Sequence, residues 1–214
     1  MRREIRLAFI SVALAISMTL SQSLAADESR GPFGIDRRYS YDDHGIWARN
    51  TQLRLQTGVV LALTATALYE GSSSRLGELS WQAIDSMLLT IAATQVLKAT
   101  FSRTRPDQTN DPAKFFQGNG NRSFPSGEVS NLAAIAMPFA LEYGSERPWV
   151  VAAASALVAY DAVARVKTRG HWPSDVIAGA LLGGGIGWAV HHRIDSFQIS
   201  AFPGRVFVSL SLRF

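Results

Sequence analysis

Five apolar stretches separated by short polar breaks dominate the chain, and their lengths and periodicities predict five helices. Leu53 to Tyr69 is the first, and GSSSRLGE after it reads as a loop. Trp81 to Thr100 is the second. There Ile84, Leu88, Ile91 and Gln95 recur at helical spacing, and continuing that stripe puts Lys98 on the same face, expected to point inward at the C-terminal end. Ser126 is an N-cap for the third helix, which runs to about Tyr143 with a bend expected at Pro138. GSERP breaks the chain, the fourth helix runs from Trp149 to about Val166, and the fifth from Ser174 to about His192. From Phe197 to Phe214 the period changes to two, and FQISAF and RVFVSLSLRF about Pro203-Gly204 predict a hairpin with a type II turn. The fold class is therefore all-α, a bundle of about five apolar helices with a short C-terminal β-hairpin.

The first residues carry a different signal. MRREIR is a basic start, LAFISVALAISMTL an apolar core, and SQSLA ends in small residues, so residues 1–25 read as a signal peptide cleaved after Ala25. The helical domain then covers 26–196 and the hairpin 197–214. Its polar lead-in, Asp27 to Asn50, contains Gly31, Pro32, Gly34 and the cluster Tyr41-Asp42-Asp43-His44, and is expected to be irregular.

Whether the bundle crosses a membrane is balanced by length. A spanning helix needs roughly 20 apolar residues, with about 17 as the lower limit. The helices sit near or below that limit, with Asp85 inside the second and Pro138 inside the third. Against this, the fifth carries Gly179, Gly183, Gly184, Gly185 and Gly187, and small residues four apart allow the close packing of membrane bundles. The expectation is a membrane-spanning bundle, with a soluble antiparallel bundle as the alternative. Either one groups the loops after the second and fourth helices at one end.

Charge narrows the partners. The formal net charge is +4, and loss of Arg2, Arg3, Arg6 and Glu4 with the signal segment lowers it by two, which gives no case for a nucleic-acid partner. There is no cysteine, hence no disulfide and no thiolate metal site. His191 and His192 are adjacent at a helix end, face different directions and are assigned no metal.

The chemistry concentrates in Arg165 to Asp175, RVKTRGHWPSD. Pro173 and Ser174 suit a helix start, so His171 falls just before that helix and Asp175 in its first turn. The four-residue spacing lets the Asp175 carboxylate accept a ring N–H and leave the other nitrogen free to attack. Arg165 closes the preceding helix with a guanidinium suited to phosphate oxygens. Asp161, one turn earlier, is in position to pair with Arg165. Phe115 and Phe116 sit in the loop 107–121, which is expected to shape access to the site, and packing under that loop is their expected use.

Two further stretches complete a pattern. Lys98 is followed after six residues by Arg105-Pro106, and Pro125-Ser126-Gly127-Glu128 opens the third helix. With Arg165, His171 and Asp175 these resemble, in order, the three motifs of the type 2 phosphatidic acid phosphatase superfamily, which includes bacterial class A acid phosphatases and vanadium haloperoxidases. Two positions depart: Glu128 stands where the family has histidine, and Ala164 where it has serine. The resemblance implies a phosphohistidine mechanism without metal or organic cofactor. In it His171 is the nucleophile, Asp175 its orienter, and Lys98, Arg105 and Arg165 a cationic cradle, with Ser126 and the backbone around Gly127 adding donors. Glu128 would take over protonation of the leaving oxygen, with His44 as the other candidate. The implied substrate is a phosphomonoester or pyrophosphate, on a lipid or a small molecule, met at the inner membrane of a bacterium with the site facing the periplasm. A soluble periplasmic enzyme, a non-catalytic phosphate or phospholipid binder and a vanadate-dependent peroxidase are the alternatives.

Overall fold

In a computed structural model of the chain, residues 30–212 are described apart from 32, 119, 203 and 204, with side chains through His192. The signal segment and the turn at Pro203-Gly204 lie outside the described residues. Five long helices make the body: α1 (Arg49–Glu70), α2 (Arg75–Phe101), α3 (Gly127–Tyr143), α4 (Pro148–Lys167) and α5 (Pro173–Arg193). A single 3-10 turn, Gly45–Trp47, precedes α1. Beyond α5 the backbone of β1 (Ile194–Phe202) and β2 (Arg205–Leu212) pairs antiparallel.

α3 is the hub, packing on α2, α4 and α5, and α1 lies chiefly on α2. Val129, Leu132 and Ala133 of α3 meet Val158, Ala162 and Val166 of α4 and Val176 of α5 in one apolar cluster. The α3–α5 contact is close because α5 presents glycine at every fourth position. A Cβ on Gly179 would stand 2.6 Å from the Ser126 oxygen, on Gly183 2.7 Å from the Ser130 carbonyl carbon, and on Gly187 2.8 Å from the Ala134 oxygen. The expected small-residue packing is thus a backbone-to-backbone seam, and Gly185, off that face, meets nothing.

Two expectations for α2 change. The stretch read as loop from Arg75 is already helix, capped by Ser74, whose Oγ accepts the Gly77 amide at 3.0 Å. Gly77, which looked like a loop residue, is there for packing: a Cβ would lie 2.9 Å from Glu70 Cβ at the end of α1. The inward face also differs. Leu88, Leu89, Ile91 and Val96 are exposed, whereas Gln82, Asp85, Ser86, Thr90, Thr94 and Lys98 are buried. Lys98 does point inward, but on a polar stripe and not with Leu88 and Ile91. The hydroxyls of Ser80, Ser86 and Thr94 donate to carbonyls one turn back, at 2.7 to 2.8 Å, which satisfies those donors within the helix.

α4 and α5 are long and apolar enough to cross a membrane, with mean hydropathies of 1.5 and 1.2. Exposed apolar side chains continue over the other helices, among them Leu61 and Leu68 of α1 and Trp149, Leu181 and Trp188 of α4 and α5.

Candidate active site

The site is built where α4 ends and α5 begins. After Lys167 the chain turns back on itself, with Arg169 in the left-handed region at φ 53°, and the amides of Gly170 and His171 both donate to the Arg165 carbonyl, at 3.0 and 3.3 Å. The turn thus holds His171 against the end of its own helix. Gly170 is a close-approach glycine: a Cβ there would lie 2.8 Å from the Arg165 guanidinium carbon. Trp172 is fully buried, and its indole N–H donates to the Thr104 carbonyl at 2.9 Å.

Asp175, in the first turn of α5, accepts the Trp172 amide at 2.8 Å, a side chain reaching back to the residue at the helix's head. It also accepts from Ser123 Oγ and from Arg103 Nη1, each at 2.5 Å. Arg103 is fully buried, and its other nitrogen reaches Asp36 Oδ2 at 2.6 Å. Asp36 in turn takes the Ser174 amide at 2.8 Å and the Ser174 hydroxyl at 2.7 Å. The lead-in is therefore not a loose leader here. Its Asp36 completes a buried Asp–Arg–Asp chain that clamps the start of α5. A buried guanidinium between two carboxylates is tolerable only because its charge and donors are matched.

His171 is 3% exposed in its side chain, and its Nδ1 lies 2.7 Å from the Ser123 carbonyl oxygen. A carbonyl only accepts, so Nδ1 carries the hydrogen and Nε2 has the free lone pair. The expected partner, Asp175, has its Oδ2 3.7 Å from Nδ1, in ion-pair range but beyond hydrogen-bond reach. Asp175 therefore orients the histidine at one remove, through Ser123, whose hydroxyl it holds and whose carbonyl holds the ring. Burial first, then the nearby Arg165 and Lys98 charges, push the His171 pKa down to about 4 against the pull of Asp175, so the ring is neutral at physiological pH.

Lys98, Arg105, Gly127, Glu128, Arg165 and His171 line one cavity of about 500 Å³. Three stretches far apart in sequence thus converge on it. Lys98 is held by its ammonium donating to the Arg122 carbonyl at 2.8 Å. Arg165 is buried, and its Nε has no hydrogen-bond partner. Ser126 and Asp175 do not line the cavity. Ser126 is fully buried behind it, against Gly179, with its hydroxyl unpaired and not capping α3.

Glu128 arrives in company. Both carboxylate oxygens accept from Arg49 of α1, each at 2.5 Å, Gln56 donates to Oε2 at 3.1 Å, and Arg165 Nε stands 3.5 Å from Oε2. Gln56 also donates to Asp161 at 3.0 Å, so Asp161 bonds across to α1 instead of pairing with Arg165 as expected. His44 is 93% exposed in its side chain and 3.6 Å from Asp42, away from the cavity. Phe115 packs on Phe101 and Phe124 and over Arg103, as expected of a residue under the loop, while Phe116 is mostly exposed. His191 and His192 turn to different partners, Gln82 and the Trp188 carbonyl.

Sequence reasoning missed Arg49, Arg103, Asp36 and Ser123, which bond to the residues of this candidate site. Arg103 lay in plain view between Lys98 and Arg105, but nothing local marks which arginine faces inward.

The chain is 32% identical over 115 residues to a lipid A 1-phosphatase of Porphyromonas gingivalis, a match covering 54% of this chain and 24% of that one. It is 37% identical over 94 residues to a lipid A 1-phosphatase of Rhizobium etli, covering 42% and 39%. The matches thus span well under half the length of these relatives. In fold it resembles the crystal structure of a transmembrane PAP2 type phosphatidylglycerolphosphate phosphatase from Bacillus subtilis, with a TM-score of 0.51 at 16% identity over 87% of this chain and 84% of that one. The profile of the PAP2 superfamily matches residues 79–198, more than half of the 214, and the chain belongs to that superfamily.

Proposed function

We propose that the chain is a lipid phosphatase that transfers the phosphoryl group of a phosphorylated lipid to His171 and then to water. One observation carries the reading: a buried, neutral histidine whose Nδ1–H is tied to the Ser123 carbonyl, on the wall of a cavity shared with Lys98, Arg105 and Arg165. Nε2 attacks phosphorus, the bond to the leaving oxygen breaks, and its electron pair goes with that oxygen. Water then attacks the phosphorus, the P–N bond breaks, and neutral His171 and dihydrogen phosphate are restored. Lys98, Arg105 and Arg165 meet the three non-bridging oxygens as negative charge builds on them, and cations fixed in advance where that charge develops supply a large part of such a barrier reduction. Asp175, Arg103 and Asp36 keep the ring in place. The names of the relatives favour a lipid substrate.

The reading places the bundle in a membrane. From Gln82 on, α2 turns polar side chains such as Gln82, Asp85, Thr90 and Thr94 inward and Leu88, Leu89, Ile91 and Val96 outward, the reverse of a water-soluble helix, and apolar surface continues around α1, α4 and α5. The loop after α2 and the turn after α4 then share one membrane face, read as periplasmic.

Purified protein in detergent should release inorganic phosphate from a phosphorylated lipid, and His171→Ala should stop it. Equal release by the variant would overturn the reading. For topology, a periplasm-active reporter inserted within Asp107–Gly118 should be active and one within Gly71–Ser74 silent. Equal activity of the two would remove the spanning assignment.

A further inference from the structure

The Glu128 carboxylate is held as an acceptor on every side. Arg49 Nη1 and Nη2 each donate to one of its oxygens at 2.5 Å, and Gln56 and Arg165 crowd Oε2 from 3.1 and 3.5 Å. A protonated carboxyl would set its O–H hydrogen against a guanidinium hydrogen. The two-point geometry therefore fixes Glu128 as the anion.

The same pairing holds Arg49 on the wall of the cavity that His171 also lines. Its backbone amide is pinned to Asp43 at 2.5 Å, and Nη1 has a second contact to Gln52 at 3.3 Å. Five donors less those engaged leave Nε and the outer hydrogen of Nη2 available to a bound group. The remaining carboxylates on the cavity wall are Asp43, already accepting from Arg49 and Tyr41, and Asp107, which is exposed.

We propose that Arg49, positioned by Glu128, meets the leaving oxygen as a cation in place of a proton donor. The basicity of that oxygen then sets which substrates the enzyme takes. Rested on the phosphatase reading, this narrows the substrate class to phosphoanhydrides and other derivatives of weakly basic oxygens, and it excludes phosphate esters of simple alcohols. In the first step the P–O bond breaks with its electron pair on the leaving oxygen. A diphosphate substrate releases a phosphomonoester, whose charge Arg49 shares. An alkyl phosphate would have to release a bare alkoxide, for which a guanidinium is no substitute for a proton.

The test is a leaving-group series with the full-length protein in detergent: aryl phosphates of graded phenol acidity, one simple alkyl phosphate and the corresponding alkyl diphosphate. kcat/KM should fall steadily as the leaving oxygen becomes more basic. The diphosphate should exceed the alkyl monophosphate by ~100-fold or more, the scale of what a general acid otherwise contributes. Glu128→His should shrink that gap at least ~10-fold by raising the alkyl ester, on the same scale. Arg49→Gln should shrink it by lowering the diphosphate, with Arg49→Lys recovering part of the loss. A flat series in the wild type, needing no variant, overturns the proposal, as does a gap unchanged in Arg49→Gln. If no compound yields phosphate in a His171-dependent way, the phosphatase reading itself falls.

Discussion

Ser123 holds His171: its carbonyl oxygen is 2.7 Å from Nδ1, against 3.7 Å for the nearest oxygen of Asp175. The histidine is set by a backbone group, and the aspartate works by holding the Ser123 hydroxyl, the Trp172 amide and Arg103 in register.

Asp175→Asn should therefore act first on the fold. It leaves Arg103 paired with Asp36 alone and weakens the three hydrogen bonds the carboxylate accepts, from Arg103, Ser123 and Trp172, each worth about 1.5–3 kcal/mol at a charged group. Ser123→Ala removes one hydrogen bond to a charged group, worth about 1.5–3 kcal/mol, but keeps the carbonyl on the ring. Thermal unfolding should order the variants wild type, Ser123→Ala, Asp175→Asn, and Ser123→Ala should keep the larger share of kcat. The reverse order in both measurements would return the orienting bond to Asp175.

Gly170→Ala tests the placement of Arg165. The added methyl has no backbone penalty but displaces the guanidinium it would touch at 2.8 Å. Loss of one charge-assisted contact predicts a fall in kcat/KM of about 10-fold or more, with little change in melting temperature. An undiminished kcat/KM would mean that Arg165 does not need the place it occupies.

The depressed His171 pKa has a sign that can be checked. Between pH 6.5 and about 4 the unfolded chain binds a proton at His171 that the folded chain does not, so folding stability should fall as pH drops through that window and level off below about 4. The loss at this residue is about 3 kcal/mol in total. Denaturation at pH 7 and pH 4.5 should show a larger decline for the wild type than for His171→Gln. His171, the proposed nucleophile, also stays neutral down to about pH 4, so its acidic limb in kcat/KM belongs there and not near 6.5. Equal declines in the two proteins would place the histidine in a solvated setting.

How far the sequence revealed this arrangement depended on distance along the chain. His171, Arg165 and Asp175 lie within one turn-and-helix start, so spacing put them near one another, although the ring N–H it assigned to Asp175 goes to the Ser123 carbonyl. Lys98, Arg105 and Gly127 were legible through the motifs they belong to. Arg49, Asp36 and Arg103 were not, because their partners are 67 to 79 residues away and nothing local singles them out. The five helices followed from apolar runs, with the head of α2 missed because Gly77 serves packing. The inward face of α2 was misassigned for a deeper reason: apolar periodicity marks whichever face avoids water, and here the apolar face is the outer one.

The central claim is that His171 carries the phosphoryl group. Protein mixed with substrate labelled in its phosphoryl group and quenched in alkali within the first turnovers should retain label on the chain. That label should be lost on mild acid treatment, as phosphohistidine is, and His171→Ala should retain none. Undiminished turnover with no labelled protein at any quench time, or label that persists in His171→Ala, would contradict the account.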